Sequence, residues 1–338
     1  MADATNPIER KCSLLLLRMG AVISLSHSVN FQLLGLLCFL FTGVPGGMVS
    51  NAEEANSPTS SVSKGLYLLH ASNCISCHTD FKNSGPLLGG GRAIVTEFGT
   101  FFSPNITSDP VYGIGKWTFS DFATAITKGV SPQGHHYYPV FPYTSYTGMT
   151  TADLRDLWSY LMSVPQSATI NRSHQIRFPF SFRPALLLWK KLFFAPMKFQ
   201  SIPEKSQDWN RGFYLVATLG HCRECHTPRN LFGAVKIKDA YSGAKSKTTD
   251  EKIPNITPDP ESGIGTWNNE DITWFLETGF LPDGDVAGGT MAEIIEQSTS
   301  FLTPSDRNSI AIFLKSLAPI HNPSFIEQSN MDSAEENW

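Results

Sequence analysis

The pentapeptide Cys-X-X-Cys-His occurs twice in the chain, as Cys74-Ile75-Ser76-Cys77-His78 and as Cys222-Arg223-Glu224-Cys225-His226. Two thiols three positions apart can each add across a vinyl group of one haem, and the adjacent histidine then lies beneath the iron as an axial ligand. The bland reading of Cys-X-X-Cys is a zinc site or a disulfide, but zinc normally takes its two pairs from much closer in sequence. Here Cys77 and Cys225 stand 148 positions apart, and the only other cysteines, Cys12 and Cys38, fall in a segment expected to be removed. Two covalently attached c-type haems are the expected cofactors, held by Cys74, Cys77, Cys222 and Cys225 with His78 and His226 on iron.

The rest of the chain is duplicated around these motifs. Gly65-Leu66-Tyr67-Leu68 leads to the first, and Gly212-Phe213-Tyr214-Leu215 leads to the second with one extra residue between. Pro104-Asn105-Ile106-Thr107 returns as Pro254-Asn255-Ile256-Thr257, and the Gly-Ile-Gly-X-Trp at Gly113 to Trp117 returns at Gly263 to Trp267, both at an offset of 150. Each copy closes on an expected helix with its own start signal. Thr150 stands three residues before Asp153, and Thr303-Pro304-Ser305-Asp306 adds proline at the first helical position. Apolar residues at helical spacing follow: Leu154, Leu157, Trp158 and Leu161 in one copy, Ile310, Phe313, Leu314 and Leu317 in the other. Each buried face is expected to cross the helix leading into its own motif. Between motif and closing helix the chain is rich in Gly and Pro, so loops should wrap the haem. A carbonyl near Pro86 or Pro228 is the expected acceptor for the proximal histidine. Trp117 and Trp267 are candidate donors to haem propionates, or plain core tryptophans.

At the N-terminus, Arg10, Lys11 and Arg18 precede an apolar stretch from Phe31 to Val44 that is short for a bilayer span. Residues 1–50 read as an export leader, with translation from Met19 or a retained anchor as alternatives, and residues 51–63 as a flexible lead-in. Charged residues make up 17% of the 338, with a net charge of −4, a balance in which nothing suggests nucleic acid, which calls for a basic surface or stripe across the domain.

These residues resemble the diheme cytochrome c family, which includes cytochrome subunits of membrane-associated dehydrogenases of Gram-negative bacteria. The likeness runs from 64 to 320 and is carried by both haem motifs, the two repeated segments, Tyr138-Pro139-Val140-Phe141-Pro142-Tyr143, Gly220 to Asn230, and Pro282-Asp283-Gly284-Asp285 leading to Met291. It implies an all-α fold of two tandem class I cytochrome c domains, 64–166 and 207–320. It also implies periplasmic electron transfer, with a dehydrogenase as donor and a cytochrome, quinone or oxidase as acceptor. The competing class is a diheme redox enzyme resembling a thiosulfate dehydrogenase or peroxidase, with catalysis at a haem lacking a firm sixth ligand.

A methionine thioether as sixth ligand raises the potential and holds iron low-spin. Met291, after Gly288-Gly289-Thr290, is the candidate in the second copy. The offset of 150 puts Phe141 at its place in the first copy, and phenylalanine cannot bind iron. Met149 is the expected replacement although it aligns with Leu302; His135, His136 or an open iron are the alternatives.

The linker, 167–206, carries Arg172, Arg177, Arg183, Lys190, Lys191 and Lys198, with no acidic residue from 171 to 200, interleaved with Phe178, Phe180, Phe182, Leu186, Leu187, Leu188, Trp189, Phe193 and Phe194. It is expected to be an interdomain strap with buried apolar residues; a basic amphipathic helix on an anionic membrane is the alternative. Asn105, Asn171 and Asn255 match glycosylation sequons, but recurrence of Asn105 and Asn255 at equivalent places suggests a turn role. The tail, 321–338, is expected to be disordered.

Overall fold

Helix α1 (Pro58–Ala71) crosses the first copy's closing helix, which spans Thr151–Ser163, where a Cβ on Gly65 would collide with the Asp156 carbonyl and Tyr160 Cβ. In the second copy, the helix Gln207–Tyr214 crosses the closing helix Pro304–Lys315 in the same way, with Gly212 pressed on the Ser309 carbonyl and Phe313 Cβ. Backbone meets backbone only because glycine has no side chain at the crossing. The architecture comes from a computed structural model that describes residues 58–246, 248 and 251–325. Residues 1–50, where a leader is expected, 51–57 of the lead-in and 326–338 of the tail lie outside the described residues; the first residues of the tail expected to be disordered are ordered instead, with Asn322 donating to the Ser242 carbonyl at 2.8 Å and a 3₁₀ turn at Pro323–Phe325.

In chain order, α2 (Cys74–His78) holds the first motif, and α3 (Phe119–Lys128), the short α4 (Tyr143–Tyr146) and α5 (Thr151–Ser163) complete the first copy. The linker contributes α6 (Ala185–Phe193). The second copy follows with α7 (Gln207–Tyr214), a 3₁₀ turn at Cys222–Glu224, α8 (Asn269–Thr278), α9 (Gly289–Gln297) and α10 (Pro304–Lys315). Sequence marks the helix starts faithfully. Thr118 and Asn268 open α3 and α8 with full capping boxes to Asp121 and Asp271, and Thr150 and Thr303 accept from the Asp153 and Asp306 amides. Gly129 and Gly279 end α3 and α8 at φ 59° and 81°.

The extra residue before the second motif is absorbed by a turn of π-helix over Leu215–Leu219, closed by the Gly220 amide on the Leu215 carbonyl at 2.7 Å. All five residues of this turn are buried. One continuous core takes residues from both copies, including Leu69, Leu157, Leu161, Leu215, Leu219 and Ile310.

Three expectations are corrected. Helix α1 begins at Pro58, inside the segment 51–63 read as a flexible lead-in, because a leucine-bearing face further along gives the polar turn something to continue onto. The fold is mainly helical but not all-α. The β-branched run in β1 (Ala93–Thr96) pairs antiparallel with β2 (Gly99–Phe102), β3 (Gln175–Ile176) adds to β2, and β4 (Ala244–Lys245) pairs with β5 (Lys252–Ile253). Residues 167–206 touch both copies, since β3 lies among them and pairs with β2, and the Trp189 indole donates to the Phe232 carbonyl at 2.9 Å. The apolar residues of 167–206, however, are mostly on the surface: Phe178 is 86%, Leu188 60% and Leu192 64% exposed. Only Leu186 of that set is buried, against Phe101 and Tyr138. Lys190 is buried instead, its ammonium donating to the Lys128 and Gly129 carbonyls at the end of α3, both at 2.7 Å. A nine-residue helix pinned along one side leaves its other faces to the surroundings. No helix among the described residues is long and apolar enough to cross a membrane.

Candidate functional site

The two motifs are built alike. Asn73 and His221, each just before the first cysteine, are left-handed at φ 50° and 39°, turning the chain sharply from the incoming helix into the motif. The Asn73 side chain accepts the Ser76 hydroxyl at 2.6 Å. Cys74, Cys77, Cys222 and Cys225 are all free thiols, and among the described residues no three His, Cys, Asp or Glu side chains gather as a closed metal centre requires. Burial pushes the Cys74 and Cys222 thiols up to about 12.

His78 Nδ1 lies 2.8 Å from the Pro104 carbonyl, and His226 Nδ1 lies 2.8 Å from the Pro254 carbonyl. A carbonyl only accepts, so Nδ1 carries the proton and Nε2 keeps its lone pair for a metal. Burial lowers both imidazole pKa values, against the opposing effect of these carbonyls, and keeps the rings neutral. The acceptors differ from those expected. The Pro86 carbonyl takes the Gly89 amide and the Pro228 carbonyl takes the Lys236 amide, both within local turns.

Pro104 and Pro254 are placed by the Asn-Ile-Thr turns. Asn105 accepts from the Thr107 amide and hydroxyl at 3.0 and 2.7 Å and donates to the Ser167 carbonyl at 2.7 Å. Asn255 accepts from Thr257 at 2.9 and 2.8 Å and donates to the Ile320 carbonyl at 2.8 Å. Both asparagines are buried, which is the turn role read from their recurrence. A second pair of bonds closes each loop over its histidine: the Gly90 amide on the His78 carbonyl and the Gly243 amide on the His226 carbonyl.

The motifs also meet each other. Tyr146 donates to the Ser72 carbonyl at 2.6 Å, and its ring stands edge-on to His221 with centroids 5.4 Å apart. Glu224, inside the second motif, accepts from Thr144 and Ser145 of the first copy at 2.7 and 3.1 Å and from Arg229 at 2.8 Å. Burial opposes its ionisation, but Arg229 and Thr144 outweigh burial and hold the carboxyl below its usual range. Arg92 donates to the Ser76 carbonyl of the first motif and forms an ion pair with Glu293 on α9, the helix that carries Met291. Sequence reasoning missed these ties, because nothing local marks Arg92 or Glu224 as partners across the duplication.

Met291 lies partly exposed near the start of α9, against the shared core. Met149 is within that core, 6% exposed, just as its counterpart Leu302 is at 5%. Phe141 contacts Tyr137 and Tyr146 with ring centroids at 5.8 and 5.9 Å, and His136 Nδ1 stands 2.9 Å from the Lys190 ammonium. The Trp117 and Trp267 indole N–H groups find no acceptor among the described residues, although both rings are partly buried. The residues present thus fit two covalent haems: at each motif stand paired thiols and a neutral imidazole with one ring nitrogen committed.

No family model matches the chain. It is 39% identical over 297 residues to a protein named diheme cytochrome c-type from Cereibacter sphaeroides, covering 85% of this chain and 97% of that one. It is 38% identical over 268 residues to the fructose dehydrogenase cytochrome subunit of Gluconobacter japonicus, and 35% over 273 residues to the gluconate 2-dehydrogenase cytochrome c subunit of Pantoea cypripedii. Of those two the chain spans 54% and 61%. A relative matched along nearly its whole length, taken together with this chain's own duplicated Cys-X-X-Cys-His motifs and alike-held histidines, makes this chain a member of the diheme cytochrome c family, carrying two covalently bound c-type haems.

Proposed function

We propose that the chain is an exported, periplasmic electron-transfer protein that serves a dehydrogenase as its cytochrome subunit or partner, passing electrons to a downstream cytochrome, quinone or oxidase. It works as two tandem class I cytochrome c domains, with Cys74 and Cys77 holding one haem and Cys222 and Cys225 the other. His78 and His226 are the proximal ligands, and Met291 is the sixth ligand of the second haem. Bound haem supplies one-electron chemistry through its iron. The chain's own residues set the conditions: Pro104 and Pro254 orient the imidazoles and raise their basicity, and the buried loops exclude water.

The observation that carries this reading is the bridging of the two motif segments by one short stretch of the first copy, in which Tyr146 joins Ser72 to His221 and Thr144 and Ser145 donate to Glu224. Two redox centres attached to adjoining segments form a relay within one chain. The partner is inferred from the printed names of the fructose and gluconate dehydrogenase cytochrome subunits. The exposed Phe178, Phe182, Leu188 and Leu192, among Arg177, Arg183, Lys191 and Lys198, are proposed to touch an anionic membrane surface.

The test is purification of the full chain from its native host, with mass spectrometry of the chain and of what accompanies it. Two haem increments and a co-purifying dehydrogenase whose substrate reduces both haems are expected. The bare polypeptide mass, or haems that no dehydrogenase substrate reduces, would overturn the reading.

A further inference from the structure

We infer that the iron held at His78 takes no sixth ligand from the protein and, when reduced, binds a small neutral diatomic molecule. This rests on haem attachment at Cys74 and Cys77, as proposed above.

The argument is one of structural register. Residues 129–137 and 279–287 repeat one another bond for bond at an offset of 150. The Tyr137 amide meets the Gly129 carbonyl at 2.9 Å and the Ala287 amide the Gly279 carbonyl at 2.8 Å. The Ser131 amide meets the His135 carbonyl at 2.9 Å and the Leu281 amide the Asp285 carbonyl at 2.8 Å. Val130 bridges His136 as Phe280 bridges Val286. Four residues beyond this shared loop, the same offset pairs Phe141 with Met291.

The closing helices then run at an offset of 153, fixed by Thr150 with Thr303, Asp153 with Asp306, and the two glycine crossings. This pairs Met149 with Leu302. Their amides make the same kind of bond, to the Tyr146 and Thr299 carbonyls, and both side chains are buried just before the helix cap. The three-residue change of offset lies between Phe141 and Met149, so Met149 is a core residue and does not stand in for Met291. His136 holds the place of Val286, which is 55% exposed, and its Nδ1 faces Lys190. His135 matches Asp285 on the same exposed turn.

What remains at the place of a sixth ligand is Phe141, with Tyr137, Tyr143 and Tyr146 around it at 5.8, 6.4 and 5.9 Å between ring centroids. The Tyr146 phenol is engaged by Ser72, but those of Tyr137 and Tyr143 have no hydrogen-bond partner among the described residues. The second copy has Ala287 and Glu293 at these two places. The Lys190 ammonium lies on the Tyr143 ring, 4.5 Å from its centroid, so the choice of ligand rests on the metal: reduced haem iron with an open position takes neutral diatomics, and a free phenol can donate to the outer atom.

The experiment uses the full-length holoprotein, with its haem count first fixed at two by the pyridine haemochrome. Carbon monoxide is titrated into the dithionite-reduced protein, and the far-red thioether-to-iron band is measured in the oxidised one. One carbon monoxide per chain and one thioether band per chain are expected. F141M should abolish carbon monoxide binding and double the band, while M149L and H136Q should change neither. Wild-type protein that binds no carbon monoxide, or an M149L variant that loses a thioether band, would overturn the inference. A haem count below two is read separately, as failure of the attachment itself.

Discussion

Tyr67 and Tyr214 hold equivalent places in the two copies, and each donates its phenol proton to the other copy's closing helix, Tyr67 to Asp306 and Tyr214 to Asp153. Each phenol oxygen also accepts the amide of the capping threonine there, Thr303 at 3.2 Å and Thr150 at 3.1 Å. The exchange is reciprocal and sits where each helix begins, so one copy helps to cap the other.

Tyr67→Phe and Tyr214→Phe are each expected to cost about 1–2 kcal/mol, because a carboxylate, buried at Asp306 and half-buried at Asp153, loses one of its donors. Guanidinium unfolding of the holoprotein followed by circular dichroism should show a lower midpoint in a single transition. Two separated transitions would mean that the copies fold independently.

Arg211 donates twice to Asp306, at 2.8 and 2.6 Å. Burial raises the Asp306 pKa, but Arg211 and Tyr67 outweigh it and hold the carboxyl below its usual range. A depressed carboxylate contributes stability that is complete above its unfolded value and lost as pH falls through its folded value. Acid unfolding should therefore steepen below about pH 4, and Asp306→Asn, less stable at neutral pH, should show a flatter acid limb.

Asn105→Ala is expected to destabilise the chain by about 1–3 kcal/mol, since the Thr107 amide and the Ser167 carbonyl both lose a buried partner. Loosening Pro104 weakens its hold on His78 and makes the imidazole a poorer donor, so a redox titration should find the first haem's midpoint raised and the second unmoved. Asn255→Ala should reverse that assignment.

Gly65→Ala places a methyl group on the Asp156 carbonyl. Separating α1 from α5 should cost about 1–3 kcal/mol or more, read as a drop in thermal midpoint, and Gly212→Ala should do the same. Ala on Gly134, where nothing lies within 4 Å, strains only the backbone at φ 80° and should cost about 1 kcal/mol.

Leu188→Glu with Leu192→Glu should abolish sedimentation with vesicles containing anionic lipid while leaving both haem spectra unchanged. Undiminished sedimentation would exclude α6 as the contact.

Local chemistry was legible in advance. Thr150, Thr303 and the paired glycines announce helix starts and crossings because capping and steric contact depend on a few adjacent residues. The proximal carbonyl was misplaced because its choice depends on where a buried asparagine some thirty residues on folds the chain back. The linker's exposure is not legible for a different reason: its sequence shows an apolar stripe, yet which face is covered depends on Leu186 and Lys190 finding seats in the first copy. Phe141 was legible as a departure, but only the matched loop bonds from Gly129 to Tyr137 show that the departure is real and not an error of alignment.

The single widened turn at Leu215–Leu219 has an evolutionary reading. An inserted residue in an ordinary helix would rotate everything downstream by 100°, whereas here the surplus is stored as a local swelling and the attached thiols keep their bearing. Length drift between duplicated genes can thus accumulate without disturbing the redox group, and the two halves remain free to diverge elsewhere, in affinity for electrons or for gases.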